Sequence, residues 1–475
     1  MIGTQEKSIK YAEEDGIIVS WRKVNSEIAS VFVLLILVVF PLAFKNYYWD
    51  ILIFKYKFYY VSVLLLIVAV LANLSVYLYK DAKLYEWKNS REAFKRFSLK
   101  KVKISEWAMS AFLVSAIIST LQSEYLYEAF WGNEGRYCGL FIILLYGVSF
   151  FIITRCFHFK QWYLDAFLVA GLLASIIGIM QYFNYDPIGF KVGLSPEDYK
   201  MFASTIGNIN TYTAYIALVT GVSMVLFCVE KNLIRKVWYF IAVSIFILAL
   251  ITGISDNAYL TLLALFGCLP LYLFVNVKGV KHYMVLVSVM FSEFYIIDML
   301  NNKFPNHVIG IEGLFEVISG VGYLPQLVLC LLGATLILHV MDVAWANKKS
   351  DRKDGNIGRW IWLGFMILVM VVIIYIVIDV NIYRNIDKYG AIGRYALFDD
   401  NWGSTRGYIW RVALEIYDGF PIIHKLFGYG PDTFGILTVH GYYEEMTKVH
   451  YQKFDSPHNE YLQYLLTMGV TGFIS

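Results

Sequence analysis

The sequence predicts an all-α polytopic membrane protein of about 12 transmembrane helices. Three observations predict it. Hydrophobic residues make up 58% of the 475 positions and charged residues only 16%, against roughly half and a quarter in soluble chains. Apolar runs long enough to cross a ~30 Å hydrocarbon layer recur from end to end. The gaps between them alternate between rich and poor in lysine and arginine, as loops on the two sides of a membrane do. An open chain in lipid must pair each backbone N–H within its own segment, so the spans are helices.

The spans run over 28–44, 58–78, 104–121, 138–154, 162–183, 211–229, 237–253, 258–275, 283–299, 321–341, 361–380 and 459–475. Residues 1–27 form a polar tail without the apolar core of a signal peptide. With that tail cytoplasmic, the gaps 80–103, 155–160, 230–236, 276–282 and 342–359 lie inside. Together with the tail they hold most of the chain's 40 basic residues. The short opposite gaps hold only Lys45, Lys55, Lys57, Arg136, Lys191, Lys200 and Lys303. The net charge of +3 is therefore a matter of topology, and no nucleic-acid partner is expected. The five cysteines show no CxxC pair, so neither a disulfide frame nor a metal knuckle is expected.

Two polar stretches break the rhythm. In 80–103, Leu84, Trp87, Phe94 and Phe97 fall at roughly helical spacing among basic residues. That pattern suits a helix on an anionic lipid surface, and it suits simple topology anchoring equally. Residues 381–457 are too long for a bare connector. Ser404 and Thr405 offer N-caps, Ile409, Val412, Ala413 and Ile416 form an apolar stripe, and Gly419 with Pro421 ends it. This reads as a small helical extracytoplasmic domain between the membrane core, 28–380, and the last span, 459–475.

The candidate chemistry lies on the outer side. In Ser456-Pro457-His458-Asn459-Glu460, Ser456 suits an N-cap and Pro457 the first helical position, which places His458 in the first turn. The positive end of a helix favours anions and disfavours imidazolium, so a neutral, proton-accepting His458 is expected. The alternative is an interfacial cap with an incidental histidine. Arg406 sits in the first turn of its predicted helix, against the helix dipole, which suits a residue held for an anion; a plain surface arginine is the other reading. Its planar fork fits phosphate. Arg136 is the basic residue of a loop that also carries Glu124, Glu128 and Glu134, so anion binding and a salt bridge both fit; Gly132, Gly135 and Gly139 predict a tight re-entry there. Asn208 and Asn210 either cap the next helix or bind sugar hydroxyls. Leu426 to Phe434 reads as a glycine-punctuated turn rather than a nucleotide loop.

In their order and shared outer placement, GRYCGLF (135–141), STIGNIN (204–210), STRGYIWRVALEI (404–416), LFGYGPDTF (426–434) and SPHNEYLQYLLTMGVTG (456–472) resemble the O-antigen ligase and polymerase family of bacterial envelopes. The resemblance implies a C-type glycosyltransferase-like membrane fold in the bacterial cytoplasmic membrane. It implies transfer of a glycan from an undecaprenyl-diphosphate carrier to a glycan or lipid acceptor outside that membrane, among membrane lipids. No nucleotide sugar, cofactor or obligatory metal is implied. The family's histidine falls on His458, and its diphosphate-binding arginines fall on Arg406 and Arg136, with Arg411 a further candidate. His458 would accept the acceptor's proton or position its hydroxyl. Asn459 is a further contact, and Glu460 and Asp432 are reserve bases. Ser255-Asp256-Asn257-Ala258 stands where many members carry Ser-Arg-Gly, so a cationic contact is missing there. The last span has room for only ~25 Å of helix at 1.5 Å per residue, so the natural chain is expected to continue beyond Ser475. Ligase and polymerase remain open, as does a transporter or flippase of a lipid-linked sugar. Against transport, the ionisable residues of the spans lie near their ends, with no internal repeat.

Overall fold

A computed structural model describes residues 2–95, 102–311, 313–320, 322–345, 356–449 and 453–475. The chain is almost wholly helical. Its described strands are the two-residue pair Phe202–Ala203 and Gly207–Asn208, antiparallel with Phe202 opposite Asn208. Among the described residues, ten helices are long and apolar enough to cross a membrane. Two expected spans fall below that mark. Leu140–Cys156 is apolar but has 17 residues, and Glu460–Ile474 has 15 and is broken at Gly469. The first crossing helix is longer than expected, Gly16–Leu42, because the expected tail continues into it as helix.

The chain divides into two compact units. The first comprises 1–33, 56–158 and 373–475, and the second comprises 34–55 and 159–372. Residues 381–457, expected as a loop domain, fall in the first unit together with the helices of 56–158.

The second unit is the more densely buried. Helices Trp162–Tyr182, Ile209–Val229, Leu233–Ile251, Asp256–Leu273 and Val277–Lys303 pack around Leu168, Ile216, Tyr239, Phe246 and Leu286, all nearly inaccessible. Small residues permit the close approach: a Cβ on Gly171 would lie 2.9 Å from the Val219 side chain. The first crossing helix passes through a π turn, Leu35–Val39, just before Pro41, where a proline ring cannot fit the regular ladder. The carbonyls left open where this helix ends are met by Lys55, whose Nζ donates to Phe40, Pro41 and Ala43 oxygens at 2.8, 3.3 and 3.1 Å.

In the first unit, helix Trp402–Asp418 buries Tyr408, Ile409, Val412 and Ala413 against Phe434, Met446, Phe454 and Leu466. Ile416 packs at the edge of that core, and Gly419 caps the helix. The basic stretch after Tyr85 turns sharply at Glu86 and Trp87, both with positive φ. It continues as helix Lys88–Lys95, whose start is held by Asp81: the carboxylate accepts from Asn89 N, Ser90 N and Ser90 Oγ. Phe97 lies outside the described residues.

Candidate functional site

Three chain segments of the first unit build the site, and each is held by backbone contacts. The first is the loop after helix Leu126–Trp131. Gly132 and Gly135 have φ of 84° and 96°, where a side chain is strained. A Cβ on Gly139 would lie 2.3 Å from Gly132 N, so the loop closes backbone against backbone, the tight turn its glycines predict. Asp432 clamps both sides of it. Its Oδ2 accepts from Asn133 N at 2.7 Å and Cys138 N at 3.1 Å, and Asn133 Nδ2 donates to the Asp432 carbonyl. Arg136 sits between those two anchors.

The second segment is the start of helix Trp402–Asp418. Gly403, Ser404 and Thr405 all lie in the left-handed region, with φ of 60°, 59° and 70°, so regular helix begins only at Arg406. Ser404 and Thr405 are therefore not side-chain caps as expected. Thr405 Oγ1 instead donates to the neighbouring Ser404 carbonyl at 2.6 Å. Arg406 keeps the expected place at the helix start. It is half-buried, its Cδ would lie 3.5 Å from a Cβ placed on Gly403, and no ion pair or hydrogen bond engages its guanidinium among the described residues.

The third segment is the turn before Glu460–Ile474. The helix begins three residues later than the sequence predicts. Asn459 is the N-cap, its Oδ1 accepting from Tyr461 N at 3.0 Å and Leu462 N at 3.4 Å. His458 therefore lies outside the helix, with φ 49°. Ser456 Oγ accepts from His458 N at 3.2 Å, and Trp410 Nε1 donates to the Pro457 carbonyl at 2.9 Å. These bonds fix the turn and hold the imidazole where solvent reaches it while neighbouring residues cover part of it.

The segment Leu426–Gly430 pins the helix behind this turn. Tyr429 N and Gly430 N donate to the Leu466 and Thr467 carbonyls at 2.9 and 3.1 Å. A Cβ on Gly428 would lie 2.2 Å from the Thr467 carbonyl carbon, and one on Gly469 would lie 2.4 Å from that of Leu426. Helix Ile104–Leu121 grips the same place, with Ser119 Oγ donating to the Thr467 carbonyl and Ser115 Oγ bonded to Thr471 Oγ1 at 2.7 Å. The break at Gly469, φ 65° and ψ −170°, lies where this strap crosses.

Electrostatically the three segments converge on His458. Removal from bulk water, then the positive charges of Arg136 and Arg406, hold its imidazole below the ordinary value; Asp455 pulls the other way. The neutral ring expected from the sequence thus has another cause than a helix dipole. Arg136 forms a two-pronged pair with Asp455, Nε to Oδ2 at 3.0 Å and Nη2 to Oδ1 at 2.8 Å. Burial works to raise the Asp455 carboxyl, but the Arg136 bonds and charge overcome it, and it lies below the usual carboxylate range.

Other candidates fall elsewhere. Arg411 is saturated by carboxylates: Asp400 takes Nε and Nη2, Glu415 takes Nη1 and Glu445 takes Nη2, each at about 3 Å. It braces the domain rather than offering a free fork. Asp432 is buried and spent on backbone N–H groups, and its carboxyl is pushed up mainly by burial. It is a clamp, not a reachable base. Glu460 is exposed in the first turn of its helix. Asn208 and Asn210 belong to the second unit. Asn208 caps helix Ile209–Val229 by accepting from Asn210 N, and Asn210 Oδ1 accepts from Ser255 Oγ at 2.7 Å and Asn257 Nδ2 at 3.2 Å. The stretch that replaces Ser-Arg-Gly is thus tied to the Asn208-Ile209-Asn210 turn by neutral hydrogen bonds.

Sequence reasoning missed Asp455 and Trp410. Asp455 stands immediately before Ser456, and its signal was available: a carboxylate beside a histidine turn, opposite an arginine-bearing loop.

The fold and this turn define a multi-pass helical membrane protein with a histidine and two guanidinium groups at one surface. Residues 326–475, the C-terminal third of the chain, match the family model described as O-Antigen ligase. That match contains Arg406, Asp455 and His458, and it supports the O-antigen ligase/polymerase family to which the motifs point. Members are glycosyltransferase-like ligases or polymerases, and the family implies lipid-linked glycan substrates and membrane lipids. No curated protein and no solved structure matches the chain.

Proposed function

We propose that the protein transfers a glycan from undecaprenyl diphosphate to an acceptor hydroxyl at the outer face of the bacterial cytoplasmic membrane, with its N-terminus cytoplasmic. The observation that carries this reading is the meeting of His458 with two guanidinium charges, of which Arg406 is unpaired among the described residues. The acceptor oxygen attacks the sugar C1 from the face opposite the diphosphate. The bond from C1 to the diphosphate oxygen breaks, and its electron pair leaves with the diphosphate. The acceptor proton passes to neutral His458. Arg406 and Arg136 bind the leaving diphosphate, where charge develops and preorganised cations act most strongly. Inversion at C1 follows from a single displacement.

Arg136 is held by Asp455 until a donor competes for it, whereas Arg406 is available at once. Asn459 supports the turn as a cap. The test is a transfer assay with undecaprenyl-diphosphate glycan and candidate acceptors, comparing wild type with His458→Ala. Product from the wild type and none from a folded, inserted variant is expected. A ladder of product sizes marks a polymerase joining lipid-linked units; a single addition to a different acceptor marks a ligase. Equal product from both proteins removes His458 from the chemistry. Lipid-linked sugar crossing vesicles without transfer would make the protein a flippase instead.

A further inference from the structure

The second unit contains a cavity of about 750 Å³ that the transfer reaction leaves unused. Lys231, Lys236, Lys278, Lys281, His282 and Arg359 line it. The carboxylate among its lining residues is Glu230, and that group is already engaged. It accepts from Lys231 N at 2.8 Å and Asn232 N at 2.9 Å, and it pairs with Arg235 at 3.5 Å. The Arg359 Nε–H is buried with no hydrogen-bond partner among the described residues. Such a donor inside a protein is costly unless something accepts from it. Lys236 Nζ meets His282 Nε2 at 2.6 Å, a neutral acceptor rather than an anion.

The local helix geometry deepens the imbalance. Helix Val277–Lys303 starts at this cavity, and Lys278 lies in its first turn, against the dipole. Arg359 stands near the start of helix Ile357–Asn381. The C-terminal ends of helices Ile209–Val229 and Asp256–Leu273 also reach the cavity and offset part of this charge. They do not meet the buried Arg359 donor.

The apolar part of the lining says what kind of anion fits. Val229 and Tyr272 line the cavity and are 45% and 61% exposed, at the ends of apolar crossing helices. The gaps 230–236 and 276–282 are among those rich in lysine and arginine. Basic pockets between crossing helices on that side suit phosphorylated headgroups, whose acyl chains need an apolar path. We propose that this cavity binds the phosphate group of an anionic phospholipid, with the phosphate against Arg359 and Lys236 and the acyl chains along Val229 and Tyr272. The site is separate from the transfer chemistry and does not depend on it.

The test uses the full chain, purified in neutral detergent and examined by native mass spectrometry with cardiolipin, phosphatidylglycerol and phosphatidylcholine. Wild type should retain the two anionic lipids at least tenfold better than phosphatidylcholine. The double variant Lys236→Gln/Arg359→Gln should lose that preference, whereas Lys236→Arg/Arg359→Lys should keep most of it. His458→Ala should bind as wild type does. Equal retention of all three lipids by wild type, an outcome that needs no variant to fold, would overturn the proposal and leave the cations as partners of the helix ends. Millimolar inorganic phosphate binding alone, and displacing cardiolipin completely, would assign the cavity to free phosphate instead and equally overturn it.

Discussion

Replacing Asp455 by asparagine tests how Arg136 is held before a donor arrives. The pair has good fork geometry, at 2.8 and 3.0 Å, but its side chains are 34% and 61% exposed. An exposed pair of this kind contributes about 0.2–1 kcal/mol. A diphosphate that takes Arg136 must displace Asp455 at that cost. Asp455→Asn should therefore lower the donor KM by up to about fivefold, since 1.4 kcal/mol corresponds to tenfold. Stability should fall by no more than about 1 kcal/mol. Arg136→Ala should act oppositely. It removes charge-assisted bonds of about 1.5–3 kcal/mol each, a donor KM increase of roughly 10- to 150-fold. The assay is initial transfer rate against donor concentration, with thermal unfolding in detergent alongside. An Asp455→Asn variant with KM unchanged and kcat abolished would refute this reasoning and make Asp455 a base. An Arg136→Ala variant with KM unchanged would show that Arg136 only staples two loops.

The remaining expectations concern protons, backbone and charge. Because the folded enzyme holds the His458 pKa below its ordinary value, the neutral form persists on the acid side. Activity should be retained through the ordinary imidazole range and lost as pH falls through the depressed value; Arg406→Gln, removing one positive charge, should shift that limb to higher pH, read by pH–rate profile or imidazole NMR titration. A limb that stays in place would separate Arg406 from His458. Gly469→Ala places a Cβ 2.4 Å from the Leu426 carbonyl carbon at φ 65°, so a loss of about 2–5 kcal/mol is expected in thermal unfolding. Gly441→Ala, on a helix with nothing within 4 Å, should be neutral or stabilising by up to about 1 kcal/mol. Arg411→Ala leaves Asp400, Glu415 and Glu445 facing one another and should cost roughly 1–2 kcal/mol of stability with donor KM unchanged; a raised KM with stability unchanged would restore Arg411 as a substrate contact.

By itself the sequence determined the membrane class and the helical architecture, and it singled out the segments that the proposed chemistry uses. Lipid forces this legibility: an apolar run long enough to cross has only one way to satisfy its backbone, so composition and length decide the element. The apolar stripe at Ile409, Val412 and Ala413 was legible for a similar reason, since one face of a helix must meet a core. Arg406 and His458 stood out as candidates because the sequence placed each in the first turn of a helix, where a cation is disfavoured.

Tertiary structure decided which charges are available. Arg136, Arg406 and Arg411 look alike in sequence, yet one is forked to Asp455, one is unpaired among the described residues and one is spent on three carboxylates. Glu415 lies one helical turn from Arg411, but Asp400, Glu445 and Asp455 stand 11, 34 and 319 residues from the arginines they pair with, and Coulomb energies depend on distance in space, not along the chain. The same holds for the last helix. Its sequence reads as a short apolar span, but the strap at Leu426–Gly430 crosses it and breaks it at Gly469. The cap at Asn459 leaves His458 outside the helix, and removal from bulk water together with two guanidinium groups from distant segments holds its imidazole below the ordinary value. Only the folded chain brings those groups together.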